Sequence, residues 1–473
     1  MPPEIDLSAI PRGSISAPAG CGKTQVIADT LGLPGGPKPV LVLTHTNSGV
    51  AALRQRLQRA GVQAGTYRLA TIDGFALRLL SMYPTRSGIA AAVLELRNPR
   101  ADYPAIREAA ARLLQGGHLD DALRATYARL LVDEYQDCNL SQHAMIMALS
   151  NNLPTCVMGD PMQAIFGFRG NALVDWNLHV LPAFPSSGQL DTPWRWRNAG
   201  TERLGRWILA CREALARGDG IDLRLSPPEV TWVALQAATA DQQRMTAART
   251  LPISQAGHVL VIGDSLSPQS RRLLASRTPG ASTVEPVDLG DLTDFARQFD
   301  PHGVQAMPSL IAFAAELMTN LGVAQLAQRV DILRRGTARN PATPAETALI
   351  ALSDTPSIAA AEHALRSLMA QPDVRVYRPE VLYPCLRAMA STAHGRCTFL
   401  DAVIRERERN RHEARRLPKR AVGSTLLLKG LEAEVAVIPN PETMDARHLY
   451  VALSRASMRL VICSTNPTLG QGA

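Results

Sequence analysis

The sequence predicts an α/β fold built on parallel sheets, and three observations carry that prediction. Short, uniformly apolar runs such as Val40-Leu41-Val42-Leu43 alternate with polar loops and amphipathic helices, the pattern of strands buried on both faces between helices. The stretch Ser16-Ala17-Pro18-Ala19-Gly20-Cys21-Gly22-Lys23-Thr24 runs directly into the apolar Val26-Ile27-Ala28, which begins a helix. The apolar Leu130-Leu131-Val132 delivers Asp133 and Glu134 at its carboxyl end, the edge where parallel sheets carry their ligand loops.

Composition bounds the rest. A chain of 473 residues is too long for one typical core and suggests about three domains. With 46% hydrophobic and 19% charged residues it reads as a soluble protein, and 50 Lys+Arg against 42 Asp+Glu give a formal charge of +8. That charge, with a pI near 9.3, favours a polyanionic partner. The 7 cysteines are scattered and contain no Cys-x-x-Cys pair, so neither a disulfide framework nor a zinc site is indicated, in keeping with a reducing cytoplasm. No apolar run approaches the ~20 residues of a membrane span, and the N-terminus lacks a basic-then-apolar signal.

Taken in order, the N-terminus with Pro2, Pro3 and Pro11 reads as poorly structured up to the glycine-rich loop. Residues Ala17, Pro18, Ala19, Gly20, Cys21, Gly22, Lys23 and Thr24 form a phosphate loop. The glycines let successive N–H groups face one anion, and the helix that follows adds its positive end. Lys23 is expected to reach the β/γ-phosphates and the Thr24 hydroxyl to sit on Mg²⁺. Ala17 stands where the strict pattern has Gly. After the strand at 39–44 and the loop His45-Thr46-Asn47-Ser48 comes a helix with Val50, Leu53 and Leu57 on one face. Thr71-Ile72-Asp73-Gly74-Phe75 leads into Leu77, Leu79 and Leu80. From about 82 to 128 the chain turns helical and charged, broken by Pro84, Pro99 and Pro104, which reads as an inserted subdomain. At the acid motif, Asp133 is suited to hold Mg²⁺ and Glu134 to polarise the water that attacks a γ-phosphate. Two such motifs together point to ATP or another nucleoside triphosphate.

The Asp133-Glu134-Tyr135-Gln136-Asp137 motif, followed by Val157-Met158-Gly159-Asp160-Pro161-Met162-Gln163-Ala164-Ile165-Phe166-Gly167-Phe168-Arg169-Gly170, resembles the UvrD/Rep-like superfamily 1A DNA helicases. The resemblance implies that Gln163 senses the γ-phosphate and that Phe166 offers a ring to a nucleic-acid base, a sequence-tolerant contact of about 1–3 kcal/mol; Phe166 also fits a core role. Leu190-Asp191-Thr192-Pro193-Trp194-Arg195 matches the family's fourth motif and puts Arg195 on the γ-phosphate. Lys429-Gly430-Leu431-Glu432 matches the fifth, with Glu432 on the ribose, and His448-Leu449-Tyr450-Val451-Ala452-Leu453-Ser454-Arg455-Ala456 matches the sixth, with Arg455 as arginine finger. Nucleic acid is expected at Asn47, Thr71, Phe166 and Arg169.

Between these motifs, the helix at 201–217 shows a stripe of Leu204, Trp207, Ile208, Cys211 and Leu215 that reads as core packing. Residues 230–235, 259–262, 435–438 and 460–462 read as further strands. The charged run that includes Arg405, Glu406, Arg407, Glu408 and Arg409 fits a solvated helix better than a phosphate track.

The resemblance implies two RecA-like P-loop NTPase domains with parallel sheets, each with a small mainly helical insertion. The first is expected over 1–188, with its insertion at about 82–128. The second is expected over 189–300 and 421–473, interrupted by helical residues 301–420. Against the family, Thr44-His45-Thr46-Asn47 replaces Thr-Phe-Thr-Asn, Asp73 replaces a His, and Leu426-Leu427-Leu428 replaces His-Ser-Ala. An Asp repels a phosphate track and leucines donate no hydrogen bonds. There is no Gln motif ahead of the phosphate loop, so adenine selectivity is left open.

The implied function is an ATP- and Mg²⁺-dependent 3′-to-5′ helicase or translocase. It acts on DNA that is single-stranded or has single-stranded ends, hydrolyses ATP between two RecA-like domains, and is regulated by a partner protein such as a nuclease. The compact size and the motifs at 71–75 and 133–137 are also similar to the helicase-like subunit of the Gabija antiphage defence system. The other class left open is a nucleotide-switched subunit that senses DNA or controls a partner without processive unwinding.

Overall fold

A computed structural model describes residues 5–33, 36–167, 172–392, 397–412 and 417–470, the side chains of 411 and 412 excepted. Arg169 lies outside the described residues, as do Arg415 and Arg416 of the charged run. The chain divides into two compact units: 1–230 with 444–458 and 466–473, and 231–443 with 459–465.

The first unit is organised by a six-stranded sheet. Its strands are β1 (Arg12–Ser16), β2 (Val40–Thr44), β3 (Tyr67–Thr71), β4 (Leu130–Val132), β5 (Thr155–Gly159) and β6 (Ser186–Gln189), in the order β3-β2-β4-β5-β1-β6. Every neighbouring pair is parallel. Residues 41–43, 130–132 and 155–159 are fully buried, as continuous apolar strands between helical layers should be. The phosphate-loop strand β1 and the acid-bearing β4 both pair with β5. Their carboxyl ends are therefore near neighbours, and β1 ends in register with β5 at Ser16 and Gly159. This topology puts the segments after residues 16, 132 and 159 on one edge before any side chain is considered.

The N-terminus differs from the sequence expectation. Arg12–Ser16 is a strand inside the sheet, flanked by β5 and β6. It carries no apolar run because small residues are needed there: a Cβ on Gly13 would collide with the Ser187 hydroxyl. Ile15 supplies its apolar anchor at 0% exposure. The region expected as an inserted subdomain consists of helices Pro84–Ser87, Ala91–Leu94, Pro99–Gln115 and Asp120–Thr126. Helix Pro99–Gln115 buries Ile106, Ala110, Leu113 and Leu114 in the core formed with helices Ile72–Met82 and Leu140–Ser150. A two-stranded ladder, β7 (Ile221–Asp222) with β16 (Thr468–Leu469), also belongs to this unit.

A second six-stranded sheet, all but Val230 and residues 456–458 within the second unit, is built from β8 (Val230–Ala234), β9 (Val259–Ile262), β10 (Ala281–Thr283), β13 (Arg420–Gly423), β14 (Ala433–Ile438) and β15 (Ala456–Ser464). Their order is β10-β13-β9-β14-β15-β8. The pairs β10 with β13, β13 with β9 and β9 with β14 are parallel. The fold class is thus the α/β one expected, with two parallel-sheet units. Residues 301–420 are mainly helical, with helices Ala306–Ala315, Val323–Arg334, Pro344–Asp354, Ile358–Met369, Pro379–Thr392 and Phe399–His412. A short antiparallel ladder, β11 (Met318–Thr319) with β12 (Arg375–Val376), is an addition that alternation over two residues could not signal. Phe295 and Phe313 stack at 3.9 Å in the core of these helices.

Candidate functional site

The phosphate loop leaves β1 and turns on two left-handed glycines, Gly20 at φ 72° and Gly22 at φ 86°. Side chains other than Gly are strained there, and space forbids them as well. A Cβ on Gly20 would lie 2.6 Å from the Trp196 ring, and one on Gly22 would lie 2.9 Å from Trp194. Gly22 is the N-cap of helix Lys23–Gly32 and offers no capping side chain, so the helix presents uncapped N–H groups at the loop. This backbone suits a polyphosphate.

Lys23 forms the charged centre. Its ammonium lies 2.9 Å from Asp133 Oδ1 and also pairs with Glu134. Burial opposes its charge, but the two carboxylates outweigh that and hold its pKa above the usual lysine range. Burial pushes the Asp133 carboxyl up, against the opposing pull of Lys23, and the neighbouring Glu134 adds repulsion. Glu134 has a left-handed backbone, φ 56°, a conformation that costs a non-glycine residue roughly 1–3 kcal/mol. Its carboxylate accepts a 2.6 Å hydrogen bond from Gln136 Nε2, and Gln136 Oε1 in turn accepts from the Asp160 N–H at 3.1 Å. Of the expected Mg²⁺ residues, Asp133 belongs to this centre and Thr24 follows Lys23 in the first turn of the helix. Among the described residues no group of three or more His, Cys, Asp or Glu could hold a metal; a hydroxyl, one carboxylate and phosphate oxygens are what Mg²⁺ ordinarily takes in such loops.

The other expected nucleotide residues fall in the same unit, with one exception. Gln163 is buried and donates from Nε2 to Asp160 Oδ2 at 3.1 Å. Arg195 is tied to the phosphate loop through its own N–H, which donates to the Gly20 carbonyl at 3.0 Å, while Nη1 donates to the Ser454 carbonyl at 2.6 Å. Arg455, in the turn after helix Ala446–Leu453, is buried and folds back on that helix, with Nε on the Val451 carbonyl at 2.8 Å and Nη2 on Ser454 Oγ at 2.7 Å. Glu432 is exposed and belongs to the other unit, in the turn before β14.

Of the expected nucleic-acid residues, Asn47, Thr71 and Phe166 fall at or after the carboxyl ends of strands of this sheet, and Arg169 lies outside the described residues. Asn47 is exposed at the start of helix Asn47–Arg59, just beyond β2, and Thr71 ends β3, in register with Thr44. Thr71 also caps helix Ile72–Met82 by accepting the Gly74 N–H at 2.9 Å. Phe166 is half-buried, with His45 tilted against it at 5.9 Å. Asp73 corrects one expectation. It does not confront a phosphate track as a bare charge, because Arg107 grips it through two hydrogen bonds of 2.7 and 2.5 Å and Gln142 adds a third of 2.9 Å.

Several residues at the site carried no assignment from sequence. Gln136 and Asp160 lie inside motifs that were read for their other members. Trp194 has a half-buried ring beside Gly22 and carries the Arg197 guanidinium 5.1 Å from its centre. Tyr450 accepts the Ala19 N–H at 3.0 Å, and Arg212 pairs with Asp160 at 2.9 Å. An aromatic preceding a motif arginine was a signal available for Trp194. Nothing local marks Arg212.

Parts of the chain are similar to known proteins. The family profile described as UvrD/REP helicase N-terminal domain matches residues 91–176. An ATP-dependent helicase/nuclease subunit of Lacticaseibacillus casei is 38% identical over 76 residues, covering 14% of this chain and 6% of that protein. The RecB subunit of the RecBCD enzyme of Buchnera aphidicola is 37% identical over 71 residues, covering 15% and 6%. The match thus spans about 6% of the length of these curated relatives. Among solved structures, the complex of Arterivirus nonstructural protein 10 (helicase) with DNA aligns over 97% of this chain and 62% of its own, at 10% identity and a TM-score of 0.36. The matched segment holds both acids and the Gly-Asp-x-x-Gln turn of the site, and over residues 91–176 the chain is similar to the UvrD/REP helicase N-terminal domain.

Proposed function

We propose that this chain is an ATP-dependent DNA helicase or translocase that hydrolyses ATP, with Mg²⁺, at the Lys23, Asp133 and Glu134 centre. The observation that carries the proposal is the pairing of Lys23 with both acids beneath a glycine loop that opens onto a helix N-terminus. Nucleotide phosphates compete for the same ammonium. As Lys23 turns to them, Glu134 is released to orient and deprotonate the attacking water, and Asp133 with Thr24 holds Mg²⁺, which supplies charge neutralisation between the phosphates. Gln163 and Arg195 read the γ-phosphate, Arg455 swings off Ser454 to meet the developing charge, and Glu432 takes the ribose. Trp194 offers its ring to the base, a contact that does not select adenine by itself.

On the same sheet edge Asn47, Thr71 and Phe166, with Arg169 beyond the described segment, make the strand contacts, and translocation runs 3′ to 5′. Relatives that are subunits of a helicase/nuclease and of the RecBCD enzyme favour a partner protein such as a nuclease, we place the chain in the cytoplasm, and the likeness to the Gabija helicase-like subunit favours a partnership in antiphage defence. The domain reading retains two RecA-like motors with helical insertions at about 82–128 and 301–420. Lys23→Ala should reduce ATPase stimulated by single-stranded DNA at least ~100-fold, about the contribution of one transition-state charge contact. An unchanged rate overturns the assignment.

A second reading is favoured by the altered strand motifs. The side chains of Leu426 and Leu427 offer no donors, and the charge of Asp73 is spent on Arg107. In that reading the chain hydrolyses ATP as a switch that senses DNA or controls a partner without processive unwinding. Hydrolysis without displacement of a duplex strand from a 3′-tailed substrate selects the switch; displacement in both the presence and absence of a partner removes it.

A further inference from the structure

Helix Glu202–Arg217 buries Leu204, Ile208, Cys211 and Leu215, and among them one charge that the apolar stripe does not explain. Arg212 is 8% exposed, and its guanidinium meets the carboxylate of Asp160, itself 0% exposed, through Nε at 3.0 Å and Nη2 at 2.9 Å. Burial alone would lower the guanidinium's pKa, but the adjacent carboxylate reverses this and holds it above its ordinary value. Taking two ions out of water is costly, and an apolar pair of similar volume would fill the space without that cost. The pair is therefore a poor device for stability and a good one for orientation.

Asp160 uses its remaining valences on the nucleotide site. Oδ2 accepts from Gln163 Nε2, Oδ1 accepts from the Met162 N–H at 3.1 Å, and the Asp160 N–H donates to Gln136, which holds Glu134. The Tyr450 hydroxyl, which accepts the phosphate-loop N–H of Ala19, is buried close enough to Asp160 that, after burial itself, the carboxylate's charge pushes its pKa up. One buried aspartate thus meets the acid motif through its N–H and holds the sensor glutamine and Arg212 through its carboxylate.

We infer that Arg212 and Tyr450 are positioning residues that act through Asp160, fixing Gln163 and the leading edge of the phosphate loop so that the site distinguishes a nucleoside triphosphate from a diphosphate. The inference rests on the nucleotide reading above. An amide whose NH₂ is held by a carboxylate keeps one orientation, and Gln163 so held meets a γ-phosphate without reorganising. Neither Arg212 nor Tyr450 is assigned contact with the nucleotide.

The test uses the full chain with Arg212→Gln, Arg212→Lys, Tyr450→Phe and the Gln/Phe double variant. ATP and ADP affinities are measured by calorimetry, with kcat, KM and Tm alongside. Arg212→Gln and Tyr450→Phe should hold ADP affinity within about twofold while the ATP-over-ADP preference and kcat each fall about tenfold, with Arg212→Lys recovering most of the loss. Because both residues act on one carboxylate, the double variant should be little worse than the more severe single. Tyr450→Phe removes one oxygen from a buried ring, so it keeps the test open should Arg212→Gln fail to fold. ATP and ADP affinities that fall in parallel with Tm, or single effects that multiply in the double variant, overturn the relay. A wild-type chain that binds neither nucleotide overturns the nucleotide reading itself, whereas a wild type that binds and hydrolyses ATP beside an equally active Arg212→Gln overturns the relay alone.

Discussion

At the scale of single residues, the acid motif is supported from behind by a titratable group. Tyr135, next to Glu134, is fully buried, and its hydroxyl lies 2.7 Å from His143 Nδ1, with the Phe184 ring 6.3 Å from the imidazole. Burial, and then the nearby His179, lower the His143 pKa from the ordinary 6.5. A base whose folded pKa is depressed favours its neutral form in the fold. The stability it contributes is complete above about pH 6.5 and is lost as pH falls from there through the folded value. The Tm should therefore decline between about pH 7 and 5 more steeply in the wild type than in His143→Gln, where the amide keeps a hydrogen bond to Tyr135 and carries no proton equilibrium. Parallel Tm curves for the two proteins would show that His143 is not the group responsible.

At the scale of elements, the Asp73 grip is the clearest structural joint. Arg107 comes from helix Pro99–Gln115, Gln142 from helix Leu140–Ser150, and Asp73 from the first turn of helix Ile72–Met82, so one carboxylate ties three helices together. Asp73→Ala leaves Arg107 half-buried without its partner and should lower stability by about 1–3 kcal/mol, read as a shift in the urea midpoint. If Asp73→Ala left the midpoint in place, the joint would be ornamental. This element also shows what a sequence can and cannot report. The acid-bearing strand was legible because residues 130–132 are all apolar and fully buried. Strand β1 was not, because close packing against Ser187 requires glycine where an apolar residue would have announced a strand. Lys23, Asp133 and Glu134 were legible as local motifs. Arg212 was hidden because its partner is 52 positions away and its helix shows only an apolar stripe, and Asp73 was misread because Arg107, 34 positions on, cancels its charge.

At the scale of the whole molecule, the formal charge of +8 supplies attraction to any polyanion and no preference among sequences. If strand binding runs along phosphates, log K should fall linearly with log salt concentration, with a slope near about −0.7 for each phosphate neutralised on a single strand. Phe166→Ala should weaken binding at every salt concentration and leave that slope unchanged, because stacking releases no counterions. A slope that changes with Phe166→Ala would assign the residue to the electrostatic contact instead.

The chain passes between its two units after residues 230, 443, 458 and 465. One consequence concerns the order of synthesis. Ala19 and Tyr450 are 431 positions apart, so until the segment after residue 443 has left the ribosome, the phosphate loop lacks the hydroxyl that meets it and the helix that Arg455 follows. A nascent chain cannot complete this cluster before residue 450 has been made, and a fragment ending at residue 443 would carry the loop, both acids and Arg195 without the Tyr450 hydroxyl.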